Sequence, residues 1–169
     1  MENLWAPWRM TYILGEDEAA KSEACIFCVD DDKAGPDKSR LILYVGRLSM
    51  VMMNRYPYNN GHLLVAPRSH KAELKDLTAE ESADLLDLVR DSIEIMKRIF
   101  RPNGFNVGLN LGRVAGAGVE AHMHFHIVPR WSGDTNFMTV FADVRVVPEH
   151  LEASFDRLLP HFSALGDRA

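Results

Sequence analysis

The sequence has no run of about 18 apolar residues, the least that lets a helix span a bilayer. It also has no basic segment followed by an apolar stretch at its start. Neither a membrane span nor a secretory leader is therefore expected, and the expected location is cytoplasmic. A basic stripe is missing too: 19 Lys and Arg stand against 24 Asp and Glu, a formal net charge of −5, and the cations are scattered. A nucleic-acid binder needs a positive track, so no nucleic-acid partner is expected. A small anion needs only a local positive spot, which Arg68, Arg113 or Arg130 could give. Cysteine is scarce, with only Cys25 and Cys28 in the segment CIFC. Such a pair in an intracellular protein is more often metal-binding or redox-active than a disulfide, and it supplies half of a tetrahedral site.

What is present suffices for one domain. The 169 residues are 47% hydrophobic, enough for a core without a second domain, so residues 1–169 read as a single unit. An N-terminal extension of about residues 1–38 is expected to pack on it, because Trp5, Trp8 and Tyr12 are too aromatic for a loose tail. Strands are expected at LILYVG, MVMMN, GHLLVAP, FNVGLNLG and HMHFHIV, with a further one at FMTVFADVRVV. Thr78 and Glu81 form a capping box, and Ala83, Leu85, Leu86, Val89, Ile93 and Met96 recur at helical spacing up to about Phe100. Pro102, Asn103 and Gly104 stop that helix, and PEHLEASFDRLLPHF reads as a shorter one. The expectation is an α+β fold: a mainly antiparallel sheet, one long helix and a C-terminal helix.

His122, His124 and His126 occupy alternate positions of AHMHFHIVPRW. In an extended chain they share one face, while Met123, Phe125 and Ile127 share the other. Imidazole near neutrality can act as base, acid, nucleophile or metal ligand. Strand rise separates the Cα atoms of His122 and His126 by roughly 13 Å, so one metal cannot take all three rings. The row reads as catalytic, with at most one ring diverted to metal.

The row resembles that of the histidine triad family of nucleotide hydrolases and transferases, whose pattern alternates histidine with apolar residues. NRYPYNNGHLLVAPRSH is similar to the family's upstream strand pair, with Asn54, Pro57, His62 and the PRSH turn in order. Asn54, the PRW ending at Trp131 and the opening LWAPWRMTYI look most like the branch of fragile histidine triad proteins and bacterial dinucleoside polyphosphate phosphorylases.

The resemblance implies the family's fold, usually as a homodimer. It implies His124 as nucleophile toward the α-phosphorus of a nucleotide, His126 as donor to a non-bridging oxygen, and His122 and His62 beside them. Asn54 matches the position that contacts ribose, and Asn110 the one that bonds the phosphate chain. Gly116 and Gly118 lie in a loop suited to cradle phosphate, because glycine lets backbone N–H groups approach an anion. Trp131 would stack on a base or meet a partner subunit. Some relatives complete a zinc site from a CxxC pair, the histidine of the PRSH-type turn and the first triad histidine, here Cys25, Cys28, His70 and His122. That zinc would be structural, and no organic cofactor is implied.

The expected substrate is an adenine nucleotide of the diadenosine tetraphosphate type, split by water or by inorganic phosphate. The alternatives are a nucleoside phosphoramidate hydrolase and a zinc-stabilised nucleotide-binding or sensing module with little turnover. The chain departs from the commonest family pattern, which has a hydroxyl or glutamine shortly before the first histidine. Gly118, Val119, Glu120 and Ala121 stand there instead.

Overall fold

The computed structural model describes residues 25–134 and 150–166. Trp5, Trp8, Tyr12, the strand expected at 137–147 and Pro148 lie outside the described residues. The elements run β1 (Ile42–Val45), β2 (Ser49–Met53), β3 (Leu63–Pro67), α1 (Ala79–Phe100), β4 (Gly104–Leu109), β5 (Phe125–Arg130) and α2 (Leu151–Ser163). The five strands form one sheet in the order β1-β2-β3-β5-β4, and every pair is antiparallel. The expected α+β architecture is observed. No described helix is long and apolar enough to cross a membrane.

Alternation sorts the side chains between two faces. Val51, Met53, Leu63, Val65 and Ile127 enter one core cluster, and Met50, Met52, Leu64 and Ala66 enter another. The register shift between Ile42 and Tyr44 lets both Leu43 and Tyr44 join the first cluster. Helix α1 covers that face by packing on β2, β3 and β5, while α2 packs on β1 and α1. Leu85, Leu88, Ile95 and Met96 of α1 and Phe155, Leu158 and Phe162 of α2 supply its core side chains.

The capping box at the start of α1 is formed. Glu81 N–H donates to Thr78 Oγ1 at 3.2 Å, and Thr78 N–H donates to Glu81 Oε2 at 2.7 Å. Arg101, left-handed at φ 48°, ends the helix just before Pro102. Gly61 turns the chain into β3 at φ +71°, where a Cβ would come within 2.9 Å of the Phe100 ring. Glycine is required there because the turn passes directly beneath the end of α1.

The histidine row departs from expectation in one respect. Strand pairing begins at Phe125, so only His126 of the three lies on β5. Upstream of Phe125, β4 has ended at Leu109, and Pro67 of β3 has no N–H to donate. The Met123 N–H instead donates to the Lys71 carbonyl at 2.8 Å. Alternation nevertheless persists, since Met123 is 2% exposed in the helix-side core and Phe125 packs against it.

Candidate active site

The hydrogen bonds of the four histidines around the row define their tautomers. His62 is fully buried, and its Nδ1 receives the Tyr58 backbone N–H at 3.1 Å and the Asn54 amide Nδ2 at 3.3 Å. Nδ1 is thus an acceptor, and the proton sits on Nε2. That Nε2 donates to His126 Nδ1 at 3.0 Å, which in turn makes Nε2 the protonated nitrogen of His126. Tyr58 flanks both rings, its centroid 4.7 Å from His62 and 5.8 Å from His126, the latter nearly parallel at 15°.

His124 is set the opposite way. Its Nδ1–H donates to the His122 carbonyl at 2.9 Å, so Nε2 carries the lone pair. Burial pushes the His124 pKa down, which keeps the ring neutral and nucleophilic at physiological pH. The His124 and His126 ring centroids are 4.9 Å apart. A lone pair and an N–H donor therefore stand side by side on neighbouring rings, an arrangement suited to attack phosphorus while holding one of its oxygens.

His122 faces elsewhere. Its Nε2–H donates to the Pro67 carbonyl at 2.8 Å, which leaves Nδ1 bare and 3.3 Å from Cys25 Sγ. His70 Nδ1 lies 3.3 Å from Cys28 Sγ, and the ligand atoms of Cys25, Cys28, His70 and His122 all lie within 4.8 Å of one another. Zinc–ligand lengths in a tetrahedron imply ligand-to-ligand separations of about 3.3 to 3.8 Å, so the cluster needs little adjustment to hold the ion. The Pro67 bond is the outer contact that fixes a metal-bound imidazole's tautomer. Partial desolvation in the turn, and then the adjacent Cys25 sulfur, push the Cys28 thiol up, a cost that a bound divalent cation would reverse.

Other expected residues fall into different positions. The Asn54 amide is engaged within the protein, donating to His62 and accepting the Tyr56 N–H at 2.9 Å. Asn110 Nδ2 donates to the Gly116 carbonyl at 3.4 Å, which joins the end of β4 to the glycine loop. Gly116 is left-handed at φ +92° and follows a short turn, Arg113–Ala115, while Gly118 is exposed in the same loop. Trp131 follows β5 five residues beyond His126, roughly 17 Å along the strand and outside this group. Arg68 and Arg130 are committed to Asp31 and Asp134. A pocket of about 520 Å³ beside the loop, lined by Leu74, Lys75, Leu111, Gly112 and Glu120, has Lys75 already paired with Glu73, so it is a poor seat for phosphate.

Three contributors escaped the sequence reading. Tyr58 lies inside the quoted upstream motif, yet nothing in the spacing shows that its ring flanks two histidines. Phe27 sits inside CIFC, where the residue pattern singles out only its cysteine neighbours. The sequence marks Glu81 as a cap alone, but it also accepts from Ser69 Oγ at 2.6 Å and Lys71 Nζ at 2.7 Å, either side of His70.

A family model described as the HIT domain matches residues 36–133, more than half of the chain. The AP-4-A phosphorylase of Mycobacterium tuberculosis is 39% identical over 162 residues, covering 89% of this chain and 79% of that protein. The adenosine 5′-monophosphoramidase of Schizosaccharomyces pombe is 32% identical over 130 residues, covering 77% of this chain and 92% of that protein. Among solved structures, a zinc-bound histidine triad family protein from Mycobacterium smegmatis matches with a TM-score of 0.64 and 25% identity, covering 84% of this chain and 95% of that one.

Proposed function

The chain belongs to the histidine triad (HIT) family, and from that premise we propose that it is an enzyme cleaving dinucleoside polyphosphates at the α-phosphorus, with inorganic phosphate as acceptor. The observation that carries the reading is the pair of opposed tautomers, with the His124 Nε2 lone pair beside the His126 Nε2–H. His124 attacks the α-phosphorus of diadenosine tetraphosphate, ATP leaves, and a nucleotidyl-histidine forms. Phosphate then displaces His124, so diadenosine tetraphosphate and phosphate give ADP and ATP. His126 holds a non-bridging oxygen through both steps, His62 fixes its tautomer, and the loop with Gly116 and Gly118 and the Asn110 amide receive the phosphate chain.

Phosphorolysis is favoured over hydrolysis by the extent of the likeness to the M. tuberculosis phosphorylase. The lack of a hydroxyl side chain from Gly118 to Ala121 favours a polyphosphate leaving group over the amine of a phosphoramidate. A polyphosphate departs as a stabilised anion, whereas an amine must be protonated as it leaves.

Cys25, Cys28, His70 and His122 would hold one zinc ion. Its contribution is structural: it ties the segment before β1 to the start of the histidine row. A reduced thiol pair suits the cytoplasm. We also propose a homodimer formed through β4, which ends the described sheet and exposes Asn106, Val107 and Gly108. Light scattering would give twice the chain mass if the edge is shared.

Product analysis with diadenosine tetraphosphate tests the main reading. ADP plus ATP appearing only with phosphate supports phosphorolysis, and AMP plus ATP without it makes the enzyme a hydrolase. No turnover, with no adduct trapped on His124, would sink the enzymatic reading in favour of a binding module.

A further inference from the structure

Between the two cysteines of CIFC the chain turns back, with the Cys28 N–H bonded to the Cys25 carbonyl at 3.1 Å. Ile26 in this turn is 38% exposed and Cys28 is exposed, yet Phe27 is 1% exposed. A surface turn that buries its one aromatic residue is using it for contact. Its ring centroid lies 4.7 Å from His124, tilted by 31°, and 5.2 Å from His122. Around it stand Ile42, Met50, Met52, Leu64 and Ala66, the apolar part of the histidine-bearing face.

The hydrogen bond from His124 Nδ1 fixes which nitrogen is bare, but it does not by itself fix where that nitrogen points. The χ2 torsion of histidine is broad and needs packing to narrow it. Phe27 is a wall of the right kind: large, rigid and apolar, in contact with the ring. Its own position is set by residues two before and one after it, Cys25 and Cys28, together with the Arg40 guanidinium bonded to the Ile26 and Cys28 carbonyls at 2.9 and 3.0 Å.

We propose that Phe27 is a positioning residue for the nucleophile, and that through it occupancy of the Cys25–Cys28 metal cluster controls the aim and accessibility of His124. The inference rests on the reading of His124 as nucleophile and extends it. The metal would act at a distance from phosphorus without touching substrate: ion fixes turn, turn fixes Phe27, and Phe27 fixes the imidazole. Misplacing a nucleophile by about 1 Å can cost roughly 10²-fold in rate, so a ring made loose by losing this wall should show in turnover while substrate binding stays intact.

The test uses the full chain purified with its metal. Phe27→Leu keeps apolar volume and removes the flat wall; Phe27→Met is a second variant should the first not fold. Each is expected to retain the parent's metal content and a KM within a few-fold, with kcat and the rate of nucleotidyl-histidine formation falling together. The second readout needs no turnover. Acylation of His124 by diethyl pyrocarbonate, mapped by peptide mass, should speed up in both variants and in the parent protein after chelation of the metal.

Unchanged kcat and unchanged His124 acylation in a metal-replete variant would overturn the positioning role. Metal release from the parent with no change in His124 acylation would overturn the coupling. Turnover surviving His124→Asn would instead strike the nucleophile assignment, while the acylation results would still report on Phe27.

Discussion

On the side of the sheet covered by α1 and α2, most inward residues are apolar, with Ser49, Ser92 and Ser154 as buried hydroxyl exceptions, and the apolar contacts are interchangeable in kind: Leu63, Val65, Leu88 and Ile127 meet aliphatic neighbours. On the other side the sheet carries Met52 and Leu64 beside His62, His124 and His126, and the cover is a turn centred on Phe27 rather than a helix. The first face needs mainly volume and pattern. The second needs each ring nitrogen assigned, and it obtains this from backbone groups: the Tyr58 N–H and the carbonyls of His122 and Pro67. Substitutions should therefore separate the faces, with stability responding on one side and chemistry on the other.

The sharpest separation is expected at His124. His124→Asn removes the proposed nucleophile but keeps a side chain able to bond the His122 carbonyl, so turnover should fall by at least about 10³-fold, on the order of 4 kcal/mol in the barrier. Melting temperature and nucleotide affinity should stay near those of the parent. A comparable loss of folding stability would show that the histidine face is also structural and collapse the distinction.

The converse substitution lies on the helix side. Leu88 is fully buried in the core between α1 and the sheet, and Leu88→Ala should cost roughly 2 to 5 kcal/mol in denaturant unfolding. Its kcat at a temperature where it remains folded should be unchanged. A fall in kcat without unfolding would mean that the helix side positions the rings after all.

The two faces also differ in how far the sequence discloses them. The short apolar runs in MVMMN and GHLLVAP, bounded by turn residues, and the Thr78–Glu81 box were enough to place β2, β3 and the start of α1, because these features depend on local composition and local bonds. The histidine row disclosed its facing but not its pairing. Where β5 begins depends on Lys71 offering a carbonyl and on Pro67 lacking an amide, both distant in sequence. The resemblance brought Cys25, Cys28, His70 and His122 together on paper, and the structure brings their ligand atoms together in space. The tautomers were out of reach, since those of His62, His122 and His126 depend on groups contributed by other segments, and the row alone does not say which carbonyl takes the His124 Nδ1–H.

Glu81 is where the distinction should fail, because it belongs to α1 but holds Ser69 and Lys71 around His70. The hydrogen bonds from Lys71, Ser69 and the Thr78 N–H hold its carboxyl down to about 2, against an ordinary 4.5. A carboxyl depressed on folding contributes stability that is fully present above its unfolded value and is lost as pH falls through its folded value. Glu81→Gln should therefore be less stable than the parent by on the order of 3 kcal/mol at neutral pH. The gap should shrink between pH 4.5 and 2. Unlike Leu88→Ala, this variant should also release a metal ion loaded onto the Cys25, Cys28, His70 and His122 cluster faster to a chelator. Metal release at the parental rate would confine Glu81 to the helix side.

The smallest effect is expected at Asn54, where it decides between two roles. The resemblance places Asn54 on ribose, whereas the structure spends its amide on His62 Nδ1 and the Tyr56 N–H. Asn54→Ala removes one of two donors to that nitrogen and leaves the Tyr58 N–H in place. The His62 tautomer should persist, with a cost of about 1 kcal/mol. If Asn54 turns to ribose when substrate binds, the loss falls on KM, because ribose is held equally in the ground and transition states. If its work is to keep the His62 to His126 relay in register, the loss falls on kcat, and KM stays put. A kcat effect would extend the histidine face's reliance on assigned nitrogens from backbone groups to a side chain, and a KM effect would leave that assignment to the backbone alone.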